Sequence, residues 1–219
     1  MGDPELTNKA AYEVRLNDGG LYGQIGPRDF RRFADTLKWL CQAPKSLLDV
    51  GCFSGHWLHY VTQRVPSLDR ALGIDVAENR IEDAKRRYPE LDFRVAYAER
   101  LDLPPGSFEV VTCLEVLEHV PDWLRVLEAM HRIASRQVLI TVPNRETIIQ
   151  TPCIHCGKLT PLYGHLRTYT EKSFPQVPGW SLSFGRLRDK DPNLSLARRL
   201  YHIVKRRYAW LVVDYRRVA

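Results

Sequence analysis

Two carboxylates and an imidazole fall within five residues in Glu115-Val116-Leu117-Glu118-His119. Glu and His together suit a hard or borderline divalent ion such as Mg, Mn or Zn. Without a metal, His119 can act as general base while Glu115 and Glu118 orient it. Two further acids, Asp49 and Asp75, stand at the ends of short apolar runs, in Leu47-Leu48-Asp49-Val50-Gly51-Cys52-Phe53-Ser54-Gly55 and in Gly73-Ile74-Asp75. A glycine-containing turn after a buried strand places backbone amides against a ligand, and glycine permits the close approach because it has no Cβ. A carboxylate about twenty residues further on accepts two hydrogen bonds side by side, which suits the two hydroxyls of a ribose.

These residues need strands and helices to hold them. Pro27 to Leu40 reads as a helix, with Phe30, Phe33, Leu37 and Leu40 at three- to four-residue spacing. Ser46 to Val50 reads as a buried strand, His56 to Arg64 as a helix, Ala71 to Ile74 as a strand and Glu78 to Tyr88 as a helix. Phe93 to Ala96 and Phe108 to Leu114 follow as strands, Asp122 to Ala134 as a helix and Gln137 to Val142 as a fifth strand. Such alternation predicts an α/β fold, a doubly wound and mostly parallel sheet with helices on both faces. After Pro143 the rhythm changes, and residues 144–169 read as a long loop or lid. Thr170 is placed to cap a short helix, and Trp180 to Leu187 has strand character.

With 44% apolar and 26% charged residues, the chain has the balance of an ordinary globular domain, and 219 residues suffice for one α/β domain. The net charge of +6 is uneven, because Arg186 to Arg217 holds ten Lys or Arg against three Asp while the rest is close to neutral. The basic character is therefore a C-terminal feature and does not mark a nucleic-acid-binding domain. No apolar run is long enough to span a membrane, the N-terminal residues lack a basic and then hydrophobic leader, and the five cysteines are odd in number and sparse. The expectation is a reducing, cytoplasmic setting.

A glycine turn with a distant acid also fits a nicotinamide dinucleotide. Here the turn departs from G-x-G-x-x-G, since Phe53 occupies the middle glycine's place, and Asp49 precedes the first glycine. In these features residues 45–145 resemble the class I S-adenosylmethionine-dependent methyltransferases, whose first motif reads like D-V-G-C-G-x-G. The likeness continues through Ala96-Tyr97-Ala98-Glu99-Arg100-Leu101-Asp102-Leu103-Pro104 and Gly106-Ser107-Phe108-Glu109-Val110-Val111. It implies a seven-stranded sheet, with S-adenosylmethionine held by Asp49, Gly51, Cys52, Phe53, Gly55, Asp75, Val76, Ala98, Glu99 and Leu114. Asp49 would take the ligand's amino group near the sulfonium. Phe53 departs from the pattern in replacing a glycine, and Tyr97 in standing where an Asp commonly contacts the adenine. The Glu-x-x-Glu-His segment resembles the ubiquinone-biosynthesis O-methyltransferases and the small-RNA 3′-terminal 2′-O-methyltransferases. The latter hold a metal with two Glu and two His, which here implies Glu115, Glu118, His119 and His165, with Mg or Mn as the ion.

Cys153-Ile154-His155-Cys156-Gly157 looks like half of a zinc knuckle, yet structural zinc wants four ligands and no second Cys pair exists. A lid loop with two free thiols is the preferred reading, and His165 cannot serve both metals. Residues 191–219 are set apart from a methyltransferase domain of residues 1–190 as a basic amphipathic helix. That helix would pack on the domain or on a second subunit, or lie on an anionic membrane surface and bring a lipid-linked substrate within reach. The leading expectation is O-methylation of a small-molecule, sugar or lipid-linked hydroxyl. RNA 2′-O-methylation is second, disfavoured because the chain before Arg186 is close to neutral. A non-catalytic binding subunit is third, and N-methylation stays open beside them.

Overall fold

The computed structural model describes residues 25–152, 156–188 and 209–218. Five strands, β1 (Ser46–Val50), β2 (Arg70–Asp75), β3 (Asp92–Val95), β4 (Phe108–Leu114) and β5 (Ala134–Pro143), run parallel, and β8 (Trp180–Leu187) and β9 (Trp210–Arg217) complete a seven-stranded sheet in the order β3-β2-β1-β4-β5-β9-β8. β9 is antiparallel to both of its neighbours. A small hairpin, β6 (Gln150–Pro152) and β7 (Leu159–Pro161), stands apart from the sheet. The helices are α1 (Pro27–Leu37), α2 (His56–Thr62), α3 (Glu78–Arg87) and α4 (Trp123–Ile133).

Side chains of a strand point alternately to opposite faces, so a strand covered on both sides must be apolar on both. Leu47 and Leu48 show this directly. Leu47 packs with Phe33, Leu58, Val61, Ile81 and Ala84 from α1, α2 and α3, whereas Leu48 packs with Val126, Met130 and Ile133 from α4. α4 begins where Asp122 caps it, its carboxylate accepting the Arg125 amide at 3.3 Å. Thr170 caps only a 3₁₀ turn, Glu171–Ser173.

The predicted strands and helices are present, Ser46–Val50, Phe108–Leu114 and Trp180–Leu187 with the expected ends and the others with ends displaced by at most three residues. The tail differs in kind. Within the described residues the expected helix of 191–219 is a strand from Trp210 to Arg217, hydrogen-bonded between β5 and β8, and it belongs to the seven-stranded sheet. Leu211, Val213 and Tyr215 pack on one face while Trp210 and Val212 pack on the other. An unbroken apolar run carries no period of its own, and here the slot between two strands decided the matter. Residues 191–208 of the expected helix, and Cys153 to His155 of the cysteine motif, lie outside the described residues. No helix among the described residues is long and apolar enough to cross a membrane.

The order of the parallel strands reverses between β1 and β4, which opens a crevice beyond their carboxyl ends. Asp49, Asp75 and the Glu115–His119 segment all belong to strands or loops at that edge.

Candidate active site

β1 delivers Asp49, which is 2% exposed. Thr112 of β4 donates to Asp49 Oδ1 at 2.7 Å and itself accepts the Trp57 indole N–H at 3.3 Å. Burial, with Asp75 nearby, pushes the Asp49 carboxyl up to about 7 against the pull of the Thr112 bond. Such an acid, bonded on one oxygen and starved of water, is prepared for a cationic amino group.

The turn after β1 contributes shape more than donors. Gly51 and Cys52 both give their amides to Ile74 O at 2.8 Å, and the Gly55 amide goes to Cys52 O at 2.9 Å. Gly51 has φ +74°, and a Cβ there would lie 2.3 Å from Val116 Cγ2. Cys52 is buried against Gly73 and lends packing. Phe53, with φ +52°, donates its amide to Asp75 Oδ2 at 2.9 Å, while Ala77 donates to Asp75 Oδ1 at 2.9 Å. Each Asp75 oxygen thus has one lone pair engaged and one for a ribose hydroxyl. Val76, Ala98, Glu99 and Leu114 are half-buried, as residues lining a crevice should be. The two acids and the glycine cradle fit S-adenosylmethionine.

The chemical end begins at Glu115, whose φ of +59° bends the chain sharply as it leaves β4. Its carboxylate lies 3.9 Å from the Arg32 guanidinium of α1. Glu118, His119 and His165 form a separate group, with one ligating atom from each within 4.8 Å of the others. Glu118 is 1% exposed and neither carboxylate oxygen has a hydrogen-bond partner. Burial and the neighbouring Glu115 drive its carboxyl well above the usual range. The His119 and His165 ring centroids are 4.7 Å apart, with Nδ1 of His119 at 3.2 Å from Gly164 O and Nδ1 of His165 held by Glu146.

His165 reaches Glu118 and His119 because its segment is strapped to theirs. Leu166 N donates to Glu118 O at 2.7 Å, Arg167 caps the Leu117, Val120 and Pro121 carbonyls, and Tyr169 Oη donates to Leu117 O at 3.0 Å. Of the four expected metal ligands, Glu118, His119 and His165 have ligating atoms within 4.8 Å of one another, and Glu115 stands beside them with Oε2 3.9 Å from Arg32 and Oε1 buried without a partner. One carboxylate with two orphaned, buried oxygens beside two imidazoles fits a divalent ion with positions open for other oxygens.

Four contributors escaped the sequence reading: Thr112, Trp57, Arg32 and Glu146. A lone hydroxyl in the apolar run of β4 was the available signal for Thr112. Arg32 comes to Glu115, and Glu146 to His165, from separate parts of the chain, and only the tertiary fold shows it.

Comparison with known proteins agrees with this fold. A ubiquinone biosynthesis O-methyltransferase of Pseudomonas paraeruginosa is 40% identical over 110 residues, covering 47% of this chain and 46% of the relative. The chain therefore matches about half the length of that relative. A demethylmenaquinone methyltransferase of Oceanobacillus iheyensis is 28% identical over 194 residues, covering 80% and 82%. Magnesium protoporphyrin IX methyltransferase from Synechocystis, solved with bound S-adenosylhomocysteine, superposes with a TM-score of 0.66 at 14% identity, over 99% of this chain and all of that one. That likeness shows the fold of the class I S-adenosylmethionine methyltransferases. Residues 25–199 match the family described as methyltransferase domain, and with strand order, glycine turn and paired acids in agreement, it is to this family that the chain belongs.

Proposed function

We infer that the chain transfers a methyl group from S-adenosylmethionine to a hydroxyl of a small-molecule, sugar or lipid-linked acceptor, with a divalent ion at Glu118, His119 and His165. The observation that carries this is the placement of Asp49 and Asp75 at the same sheet edge as the Glu118–His119–His165 group. Methyl transfer is an in-line displacement at a sulfonium, served mainly by proximity and orientation. The carbon–sulfur bond breaks with its electron pair kept by sulfur, leaving S-adenosylhomocysteine, and a carbon–oxygen bond forms. The hydroxyl proton passes to water where the hydroxyl is acidified by an ion, or to His119 where none is bound.

Asp49 holds the donor's amino group and Asp75 its ribose, which fixes where the methyl points. Glu118, His119 and His165 would hold the ion, His119 and His165 through Nε2 because Nδ1 of each is engaged, an arrangement that fixes the tautomer. When bound, a divalent ion lowers the pKa of a coordinated hydroxyl and positions the oxyanion. Glu115 adds negative charge beside the ion, and Arg32 limits that charge. In a metal-free reaction His119 takes the proton.

The segment between Asn144 and Tyr169 supports an apolar or aromatic acceptor. Ile149, Leu159, Leu162, Tyr163 and Leu166 are large, exposed and apolar, and the Tyr163 ring lies 6.1 Å from that of His165. RNA is less well supported. Arg216 is spent on Asp214 and the Trp39 carbonyl, Arg186 pairs with Glu171, and Arg217 lies over Trp180, so these basic residues bind the protein itself. Calorimetry of S-adenosylhomocysteine with metal-stripped protein, repeated with Mg or Mn, tests the reading. Binding of the cofactor product, and binding of Mn that disappears in Glu118→Ala and His119→Ala, is expected. Methyl transfer to a catechol such as 3,4-dihydroxybenzoate only with the ion present would complete it. No binding of S-adenosylhomocysteine under any condition would overturn it.

A further inference from the structure

The turn after β1 departs from its family where Phe53 replaces a glycine, and the structure shows what accompanies the change. Phe53 is held at φ +52°, a left-handed conformation that is strained for a non-glycine residue. Beneath its ring lies Arg80 of α3, the guanidinium carbon 3.8 Å from the ring centroid. Arg80 is 2% exposed, and its Nε and Nη1 are buried with no hydrogen-bond partner. Leaving cationic donors so is expensive unless the charge has another use. Asp83, the other acid within its field, is already bonded through both oxygens by Arg86 and Arg87. Asp75 is the remaining one, and Phe53 itself donates to it.

We propose that Arg80 is a positioning residue for the cofactor's ribose: stacked under Phe53, it holds that residue in its left-handed turn, so that the Phe53 amide fixes the Asp75 carboxylate in the orientation the ribose diol requires. A glycine needs no such support, because it adopts positive φ without strain. Phe53 and Arg80 are thus two halves of one device. An ordinary buried arginine packing against a phenylalanine would stabilise the fold without regard to which ligand is bound. The device proposed here acts only on ligands that bear the ribose hydroxyls.

This inference rests on the cofactor reading above, and its test separates the two. Binding of S-adenosylhomocysteine and of its 2′,3′-dideoxyribose analogue is measured by calorimetry for wild type, Arg80→Met, Phe53→Gly and the double variant, with melting temperatures recorded alongside. Arg80→Met is expected to weaken S-adenosylhomocysteine about tenfold, the scale of losing one well-aligned hydrogen bond to a charged group, and the dideoxy analogue less than about twofold. Adding Phe53→Gly to Arg80→Met is expected to restore S-adenosylhomocysteine binding to within about threefold of wild type. Equal losses for the two ligands, or unchanged affinity in Arg80→Met, would overturn the proposal and leave Arg80 as packing. Absence of S-adenosylhomocysteine binding in the wild type would instead overturn the cofactor reading, and the proposal with it.

Discussion

Thr112 is the one hydroxyl of β4, and on the proposed cofactor reading its bond to Asp49 would set how the amino group is received. Because Asp49 titrates near 7, it is a neutral acid below that pH and a carboxylate above it. A cationic amino group favours the carboxylate, so S-adenosylhomocysteine binding at pH 6 should expel about one proton and weaken as pH falls from 7 to 6. Titrations at pH 6 in buffers of different ionisation enthalpy measure that proton directly. Asp49→Asn should bind weakly and without this pH dependence. In Thr112→Val the hydrogen bond that lowers the Asp49 pKa is gone, so the pH midpoint should move upward and affinity at pH 7 should fall about tenfold.

At the scale of elements, Gly185 shows how closely β8 is fitted to the turn after α1. A Cβ at Gly185 would lie 2.0 Å from the Trp39 ring, so the indole would have to shift to admit it. Gly185→Ala is expected to lower stability by about 1–3 kcal/mol in chemical denaturation, and Trp39→Leu in the same chain should recover part of it. The strands at the sheet centre were legible from sequence because short apolar runs ending in Gly or an acid have few other uses. β9 was not. Trp210 to Val213 is apolar at every position, and basic residues before and after it imitate the polar face of a helix. The neighbouring strands that settle its conformation, β5 and β8, are distant in sequence or joined through residues 189–208. The Glu118–His119 pair was readable as chemistry, and His165 as its partner by resemblance. The ion pair of Glu115 with Arg32 was not, since it depends on where α1, far earlier in the chain, comes to rest against the sheet edge.

For the whole molecule, an ion at Glu118, His119 and His165 would tie together two segments that are distant in sequence. Any ligand that binds only the folded state stabilises it, by about 3 kcal/mol at a hundredfold excess over its Kd. Mn at saturating concentration should therefore raise the melting temperature of the wild type and leave that of Glu118→Ala unchanged, a result independent of turnover. A wild-type melting temperature indifferent to Mn, Mg and Zn would favour the metal-free route with His119 as base.

The strap from Gly164 to Tyr169 has a bearing on how such an enzyme can diversify. An isolated bridge between Asn144 and Tyr169 closes the base of the segment that carries β6 and β7, and hydrogen bonds from Leu166 and Arg167 anchor its far end to the Leu117–Pro121 turn. His165 is thereby tied mainly by residues after it in the chain, while Glu146 holds its Nδ1 and the neighbouring Gly164 amide donates to Pro161 O at the hairpin's end. Loop-closure entropy grows only slowly with length, so the hairpin can be lengthened, trimmed or exchanged at little thermodynamic cost. On the proposed reading the strap would be a fixed workbench and the hairpin a replaceable jaw, so that changes at residues 148–162 would alter acceptor preference with the Glu118–His119–His165 group kept in place.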